Sequence, residues 1–267
     1  MGNIESLIEI MARLRDPARG CPWDREQTFA SLVPHTLEET YEVIDAIEGG
    51  RIEDLREELG DLLFQVVFYS QLASERGVFG LNEVAATLID KLIGRHPHVF
   101  ANAVVIGTDQ QSAAWEAHKT KERAAQDLNA TSILDGIASA LPALLRAVKL
   151  QRRAAAVGFD WNEIGAVLDA VMGELNEVRA ALAAGEPTHI AEEIGDLLFA
   201  CVNLARSARV DPESALRSAN QKFECRFRYI EQRLQAQGQS VNDATLAEMD
   251  ALWEEAKRDL PKKERAP

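Results

Sequence analysis

Glu39 and Glu42, Glu58 and Asp61, Glu174 and Glu177, and Glu193 and Asp196 form four acid pairs, each three residues apart. On an α-helix that spacing puts both side chains at neighbouring positions of one face. The last two pairs repeat the first two at a constant offset of 135 residues. Where a helix carrying Glu-x-x-Glu packs against one carrying Glu-x-x-Asp, four carboxylates converge. Four unpaired anions repel, so at least one takes up a proton or the site opens. A hard divalent cation removes that conflict. An all-oxygen donor set favours Mg2+ or Mn2+ over zinc. Mg2+ typically keeps several waters and leaves its remaining positions to substrate phosphates.

A single Glu-x-x-Glu is usually a solvated helix face. Two such pairs on successive amphipathic helices, duplicated in register, argue against that reading. A di-iron bundle competes, but it needs Glu-x-x-His on two helices. Neither Glu58 nor Glu193 has a histidine three residues on. A second repetition joins the acids. Lys91 and Arg95 resemble Lys222 and Arg226, each a Lys-x-x-x-Arg, at an offset of 131. Such cations can neutralise phosphate oxygens, Arg bidentately. An ordinary surface helix remains the alternative for them.

The elements that position the acids are legible around them. EELGDLLFQ begins at Glu57 and EEIGDLLFA at Glu192. Leu59, Leu62, Leu63, Val66 and Val67 follow the helical i, i+3, i+4, i+7, i+8 stripe, as do Ile194, Leu197, Leu198, Cys201 and Val202. The stripe is expected to be the packing seam, with Glu58 beside its Leu62 edge. Strand signals are nearly absent, so the chain reads as all-α, built of tandem helical-bundle units. The boundaries expected are an N-terminal unit at 1–100, a connecting segment at 101–134 and a C-terminal unit at 135–267. The middle of the connection, 110–125, has helical character. Pro142 suits a first helical turn, and the tail PKKERAP is expected to fray.

Composition narrows the partners. The net charge of −14 argues against DNA or RNA, which require a basic footprint. A nucleotide accompanied by its own metal ion is not excluded. Cys21, Cys201 and Cys225 form no CxxC pair, so a reducing cytosol is simpler than a disulfide framework. Acids interrupt the apolar N-terminal stretch, which therefore does not read as a signal peptide. No apolar run reaches the ~18 residues that span a bilayer. The expectation is a soluble cytoplasmic protein without a membrane or nucleic-acid partner.

GCPWDREQT, LEETYEVIDAI, EELGDLLFQVVFYSQ, RHPHVF, VGFDW, EEIGDLLFACVNLAR and ANQKFECRFRYIE occur in that order. Together they resemble the MazG family of nucleoside triphosphate pyrophosphohydrolases, from Ile8 to about Lys257. The resemblance implies an all-α NTP pyrophosphatase fold, two tandem units and a homodimer. It implies Mg2+-dependent cleavage of ribo- and deoxynucleoside triphosphates to monophosphate and pyrophosphate. In two-unit members the second unit is usually credited with catalysis. Carried over to this chain, the metal ligands are Glu174, Glu177, Glu193 and Asp196, with Glu192 a neighbouring acid and candidate base. Asn220, Lys222 and Arg226 fall in the motif associated with the triphosphate, and Trp253 falls in a C-terminal helix where it can meet the nucleotide. Gly173 and Asn176 depart from further acids common in the family. Glu39, Glu42, Glu58 and Asp61 form a possible second metal site.

Other residues have blander readings. Cys21 precedes Pro22 in a turn and reads as structural rather than nucleophilic. Trp23 and Trp161 can stack a base but more often pack a loop. His96 and His98 flank Pro97 and suit a helix-terminating turn. Phe64 and Phe199 are expected to pack. Two function classes remain. One is an enzyme, broad or narrowed to dUTP, dCTP or phosphoribosyl-ATP. The other is a non-catalytic nucleotide-sensing regulator, which has no use for eight matched acids.

Overall fold

A computed structural model describes residues 2–101, 132–161 and 163–260. The expected helix at 110–125 and the tail at 261–267 lie outside the described residues. The chain divides into two compact units, Met1–Glu122 and Arg123–Pro267. Every described element is helical, and no strand is present among the described residues.

The first unit contains α1 (Asn3–Leu14), α2 (Pro22–Glu26), α3 (Val33–Glu48), α4 (Ile52–Glu75), α5 (Leu81–Arg95) and α6 (Pro97–Phe100). The antiparallel α3–α4 hairpin is its centre. Its turn is Gly49–Gly50–Arg51, with Gly50 at φ 68°, a conformation that costs glycine nothing. Arg51 clamps the turn by pairing with Asp45 and Asp54 at 2.7 and 2.8 Å. α1 and α5 start on Gly2 and Gly80, whose amides donate to Glu5 and Glu83, both at 2.9 Å. The acid three residues on thus satisfies an otherwise orphaned amide. Met11, Leu32, Val67, Phe68 and Leu72 form the core, with Phe29, Phe64, Tyr69 and Leu81 packed against it. Arg15 lies 5.5 Å above the Phe68 ring. It donates to Glu75 at 2.7 and 2.8 Å and to the carbonyl oxygens of Asp24 and Gln27.

The second unit contains α7 (Ala143–Ala155), α8 (Ile164–Ala184), α9 (Pro187–Ser207), α10 (Pro212–Ala236), a 3-10 turn (Val241–Asp243) and α11 (Leu246–Asp259). Pro142 stands just before its helix, as the cap. Gly185, at φ 76°, ends α8 in the left-handed conformation, and Pro187 opens α9. Asp211 caps α10 by accepting from Ser214 N at 2.8 Å. A Thr245–Glu248 capping box starts α11. Among the described residues the unit has two small apolar clusters. Ala147, Val148 and Val202 join α7 to α9. Ile230, Leu234 and Leu252 join α10 to α11, with Trp253 against them.

The seam expected from the sequence is placed differently. Leu59, Leu63 and Val66 are 50%, 36% and 39% exposed, while Val67, Phe68 and Leu72 are buried. At 100° per residue Phe64, Phe68 and Leu72 form a second apolar stripe on the opposite side of α4, and this one meets the core. Gln65, Glu58 and Asp61 sit beside it. Ile194 and Leu198 are likewise exposed, and so is Phe199, which was expected to pack. Its backbone carbonyl accepts from Gln151 Nε2 at 2.9 Å. Phe64 does pack on the core. Trp23 and Trp161 are about half exposed, Trp23 meeting His35 and Phe68 edge-on. His96 and His98 stand in contact at the α5–α6 junction, their ring centroids 5.6 Å apart.

Candidate metal centre

Each hairpin brings acids together from both of its arms. In the first unit, carboxylate oxygens of Glu39 on α3 and of Glu58 and Asp61 on α4 lie within 4.8 Å of one another. In the second, the same is true of Glu174 and Glu177 on α8 and Glu193 on α9. The fourth acid of each set stands outside this tight group but acts on it. Glu42 raises the pKa values of Glu39 and Glu58, and Asp196 raises those of Glu174 and Glu193.

Burial is the leading cause of the upward shift at Glu39, Glu58, Glu174 and Glu193, and the neighbouring carboxylates follow. Both effects disfavour the charged form, as expected for clustered acids lacking a counter-charge. At Glu193 the nearby His189 opposes them. Glu193 is only 8% exposed, and its Oε2 is buried without a hydrogen-bond partner. Its Oε1 lies 3.3 Å from His189 Nδ1. In the first unit Gln65 is 4% exposed, donates from Nε2 to Glu39 Oε1 at 3.5 Å, and leaves its own Oε1 unpartnered. Orphaned buried oxygens are costly. Glu193 belongs to an all-oxygen donor set, and its orphaned oxygen there fits a hard divalent cation.

His189 escaped the sequence reading. It lies one turn before Glu193, with Nδ1 3.9 Å from exposed Glu192. Its i, i+3 and i, i+4 spacing to the two acids is the signal that could have found it. The expected phosphate-binding residues form a separate group. Asn220 and Lys222 are exposed on α10. The Arg226 guanidinium lies 5.3 Å from the Trp253 ring centroid. Phe223 meets Trp253 at 5.4 Å and stacks on Phe227 at 6.0 Å. No ion pair links Lys222 or Arg226 to the acids among the described residues. Lys91 and Arg95 lie in the last two turns of α5, which ends at Arg95, whereas α10 continues ten residues beyond Arg226.

The acid clusters coincide with what the chain shares with known proteins. The MazG nucleotide pyrophosphohydrolase domain matches it twice, over residues 27–100 and 163–230, each span holding one complete acid set. The nucleoside triphosphate pyrophosphohydrolase of Escherichia coli (strain K12) is 51% identical over 260 residues, covering 97% of this chain and 98% of that protein. The nucleoside triphosphate pyrophosphohydrolase/pyrophosphatase MazG of Thermotoga maritima is 42% identical over 253 residues, covering 95% of each. A nucleoside triphosphate pyrophosphohydrolase of Mycobacterium tuberculosis is 33% identical over 251 residues, 93% of this chain and 65% of that protein. With its acids paired across two helical hairpins and its sequence matched over nearly its whole length, the chain belongs to the MazG nucleotide pyrophosphohydrolase family.

Proposed function

We propose that the protein hydrolyses nucleoside triphosphates to the monophosphate and pyrophosphate, using Mg2+ (or Mn2+) held mainly by the second unit. The observation that carries the reading is the three-acid cluster of Glu174, Glu177 and Glu193, in which a buried Glu193 oxygen has no partner. Asp196 completes the proposed ligand set, and Glu39, Glu42, Glu58 and Asp61 form its counterpart in the first unit. The bound ion would supply charge neutralisation at phosphate oxygens and a more acidic water. Glu192, exposed beside the cluster and 3.9 Å from His189 Nδ1, would accept that water's proton. Lys222 and Arg226 balance the remaining phosphate charge, and Asn220 adds a polar contact.

Trp253, packed with Arg226 and Phe223, offers a ring face to the base. A ring face discriminates weakly, because every base has one. This supports a broad ribo- and deoxynucleotide range and a role in control of the nucleotide pool. The uncovered stripes containing Leu59, Leu63 and Val66 and containing Ile194 and Leu198 support a homodimer. Cys21, Cys201 and Cys225 are all free thiols, consistent with the cytoplasm. No helix among the described residues is long and apolar enough to cross a membrane.

The test is incubation of pure protein with ATP and Mg2+. AMP and pyrophosphate are the expected products; ADP and phosphate would refute the reading. EDTA should abolish turnover, with recovery on Mg2+ or Mn2+ but not on Zn2+. A panel of ribo- and deoxynucleoside triphosphates then measures breadth.

A further inference from the structure

Arg209 is the one non-glycine residue with a positive φ, 58°, among the described residues. It ends α9 with the backbone pattern that ordinarily calls for glycine. Arg209 N donates to Arg206 O at 3.0 Å, and Val210 N reaches back to Ala205 O at 2.8 Å. The first unit ends α4 the same way, but there the residue is Gly77, at φ 68°. A side chain in this conformation is disfavoured by contact of its Cβ with the backbone. Arginine thus stands where glycine would be the more stable choice, and an outlier of this kind points towards function.

The same turn walls a cavity of about 400 Å3, lined by Val148, Arg152, Arg206, Arg209, Val210, Asp211 and Pro212. None of the clustered acids, and none of Asn220, Lys222, Arg226 and Trp253, is among its lining residues. Arg206 is already neutralised, since it binds both oxygens of Asp160 and donates to Asn203 Oδ1 at 2.7 and 3.0 Å. Asp211 is turned to its own helix, accepting from Ser214 N. Arg152 and Arg209 are exposed and form no ion pair among the described residues. Two guanidinium groups without an ion-pair partner among the described residues therefore face one cavity beside the single carboxylate of Asp211, a local positive excess in a chain of net charge −14. Val210, 47% exposed, supplies apolar surface beside them; Val148 and Pro212, which also line the cavity, are buried. A volume of this size suits a small molecule, and guanidinium groups suit phosphate oxygens.

We propose that this cavity is a second, non-catalytic site for a phosphorylated small molecule of nucleotide size. Its phosphate is held by Arg152 and Arg209, and its planar or apolar body lies against Val210.

Isothermal titration of the full chain with AMP, pyrophosphate and adenosine, all in EDTA, tests the site without metal-dependent binding at the acids. AMP should bind and adenosine should not. Pyrophosphate should compete with AMP. Arg209→Gly and Arg152→Ala should each weaken AMP binding about tenfold or more, as expected when a charge-assisted contact is lost. Arg209→Gly should also raise the melting temperature, since it relieves the backbone. That combination, weaker binding in a more stable protein, separates a ligand contact from a structural role. Equal AMP affinity in wild type and both variants, binding of adenosine as tight as that of AMP, or no AMP binding in EDTA would each overturn the proposal.

Discussion

The two hairpins carry the same acids on different foundations. Position 68 in the first unit is Phe, wholly buried at the centre of a five-residue core. The residue 135 places on is Asn203, also buried, but bonded to Arg206. Gln65, which touches Glu39, corresponds to Ala200, and Asp54 corresponds to His189. The first hairpin rests on hydrophobic packing and places the neutral amide of Gln65 against its cluster. The second rests on an Asp160–Arg206–Asn203 network and places an imidazole against Glu193. Duplication preserved the ligand set, while the surroundings moved apart, one towards apolar packing and the other towards charge control. This difference supports assigning catalysis to the second unit.

The sharpest attack on the comparison is at the paired floor positions. Phe68→Ala should lower stability by about 3–5 kcal/mol in urea unfolding, from lost burial and the cavity left behind. Asn203→Ala should cost about 1–3 kcal/mol, because Arg206 keeps Asp160 but loses an acceptor. Equal losses would mean that the two floors do the same job.

Activity provides the next break. Glu193→Gln/Asp196→Asn should lower ATP turnover ~10²-fold or more, the scale expected when a group stabilising transition-state charge is removed. Glu58→Gln/Asp61→Asn should keep most of the rate, with folding checked by circular dichroism. A dead first-unit variant would reverse the assignment. Metal sharpens the same point through stability. At 100 times its dissociation constant, Mg2+ should stabilise the fold by ~2.7 kcal/mol, seen as a higher melting temperature. Glu193→Gln should reduce this gain without lowering the metal-free melting temperature, since it removes one repelling charge.

The smallest effect is in the pH profile. Glu39, Glu58, Glu174 and Glu193 have raised pKa values, so the folded state binds more protons than the unfolded one above pH ~4. Metal-free stability should therefore rise as pH falls from 7 through those raised values. Glu75 and Asp160 have lowered values, chiefly from hydrogen bonds with Arg15 and Arg206. Their contribution is present above their unfolded values near 4 and is lost as pH falls through the folded ones. Metal-free melting curves from pH 7 to 3 should thus pass through a maximum. A monotonic decline would contradict the strain assigned to the acid clusters.

Element type and the pairing of acids were legible because both depend on local spacing. The 3.6-residue period and the 135-residue offset require no knowledge of what packs where. The buried face of α4 was harder, since Leu59–Leu63–Val66 and Phe64–Phe68–Leu72 are both apolar stripes. Periodicity alone does not say which one a neighbour covers. Phe199 follows the same logic, as apolar character did not bury it. Arg226 and Trp253 meet across two helices joined by a turn, and the Arg206–Asp160 pair spans 46 positions; contacts of that kind leave no periodic trace. Arg209 was invisible for a different reason: its significance lies in a backbone angle, not in its side-chain type.

The distribution of burial along α4 has a consequence for motion. Its buried residues run from Gln65 to Ala73, and none lies between Ile52 and Asp61. A 24-residue helix is about 36 Å long, so it resembles a beam gripped over its far half and tied at its near end by the exposed Arg51 pairs, with Glu58 and Asp61 on the stretch between. Amide hydrogen exchange should be slow beyond Gln65 and faster towards Ile52, because local opening follows the density of buried contacts. The acids then ride on the less buried stretch of the helix, and whatever grips them also damps that stretch.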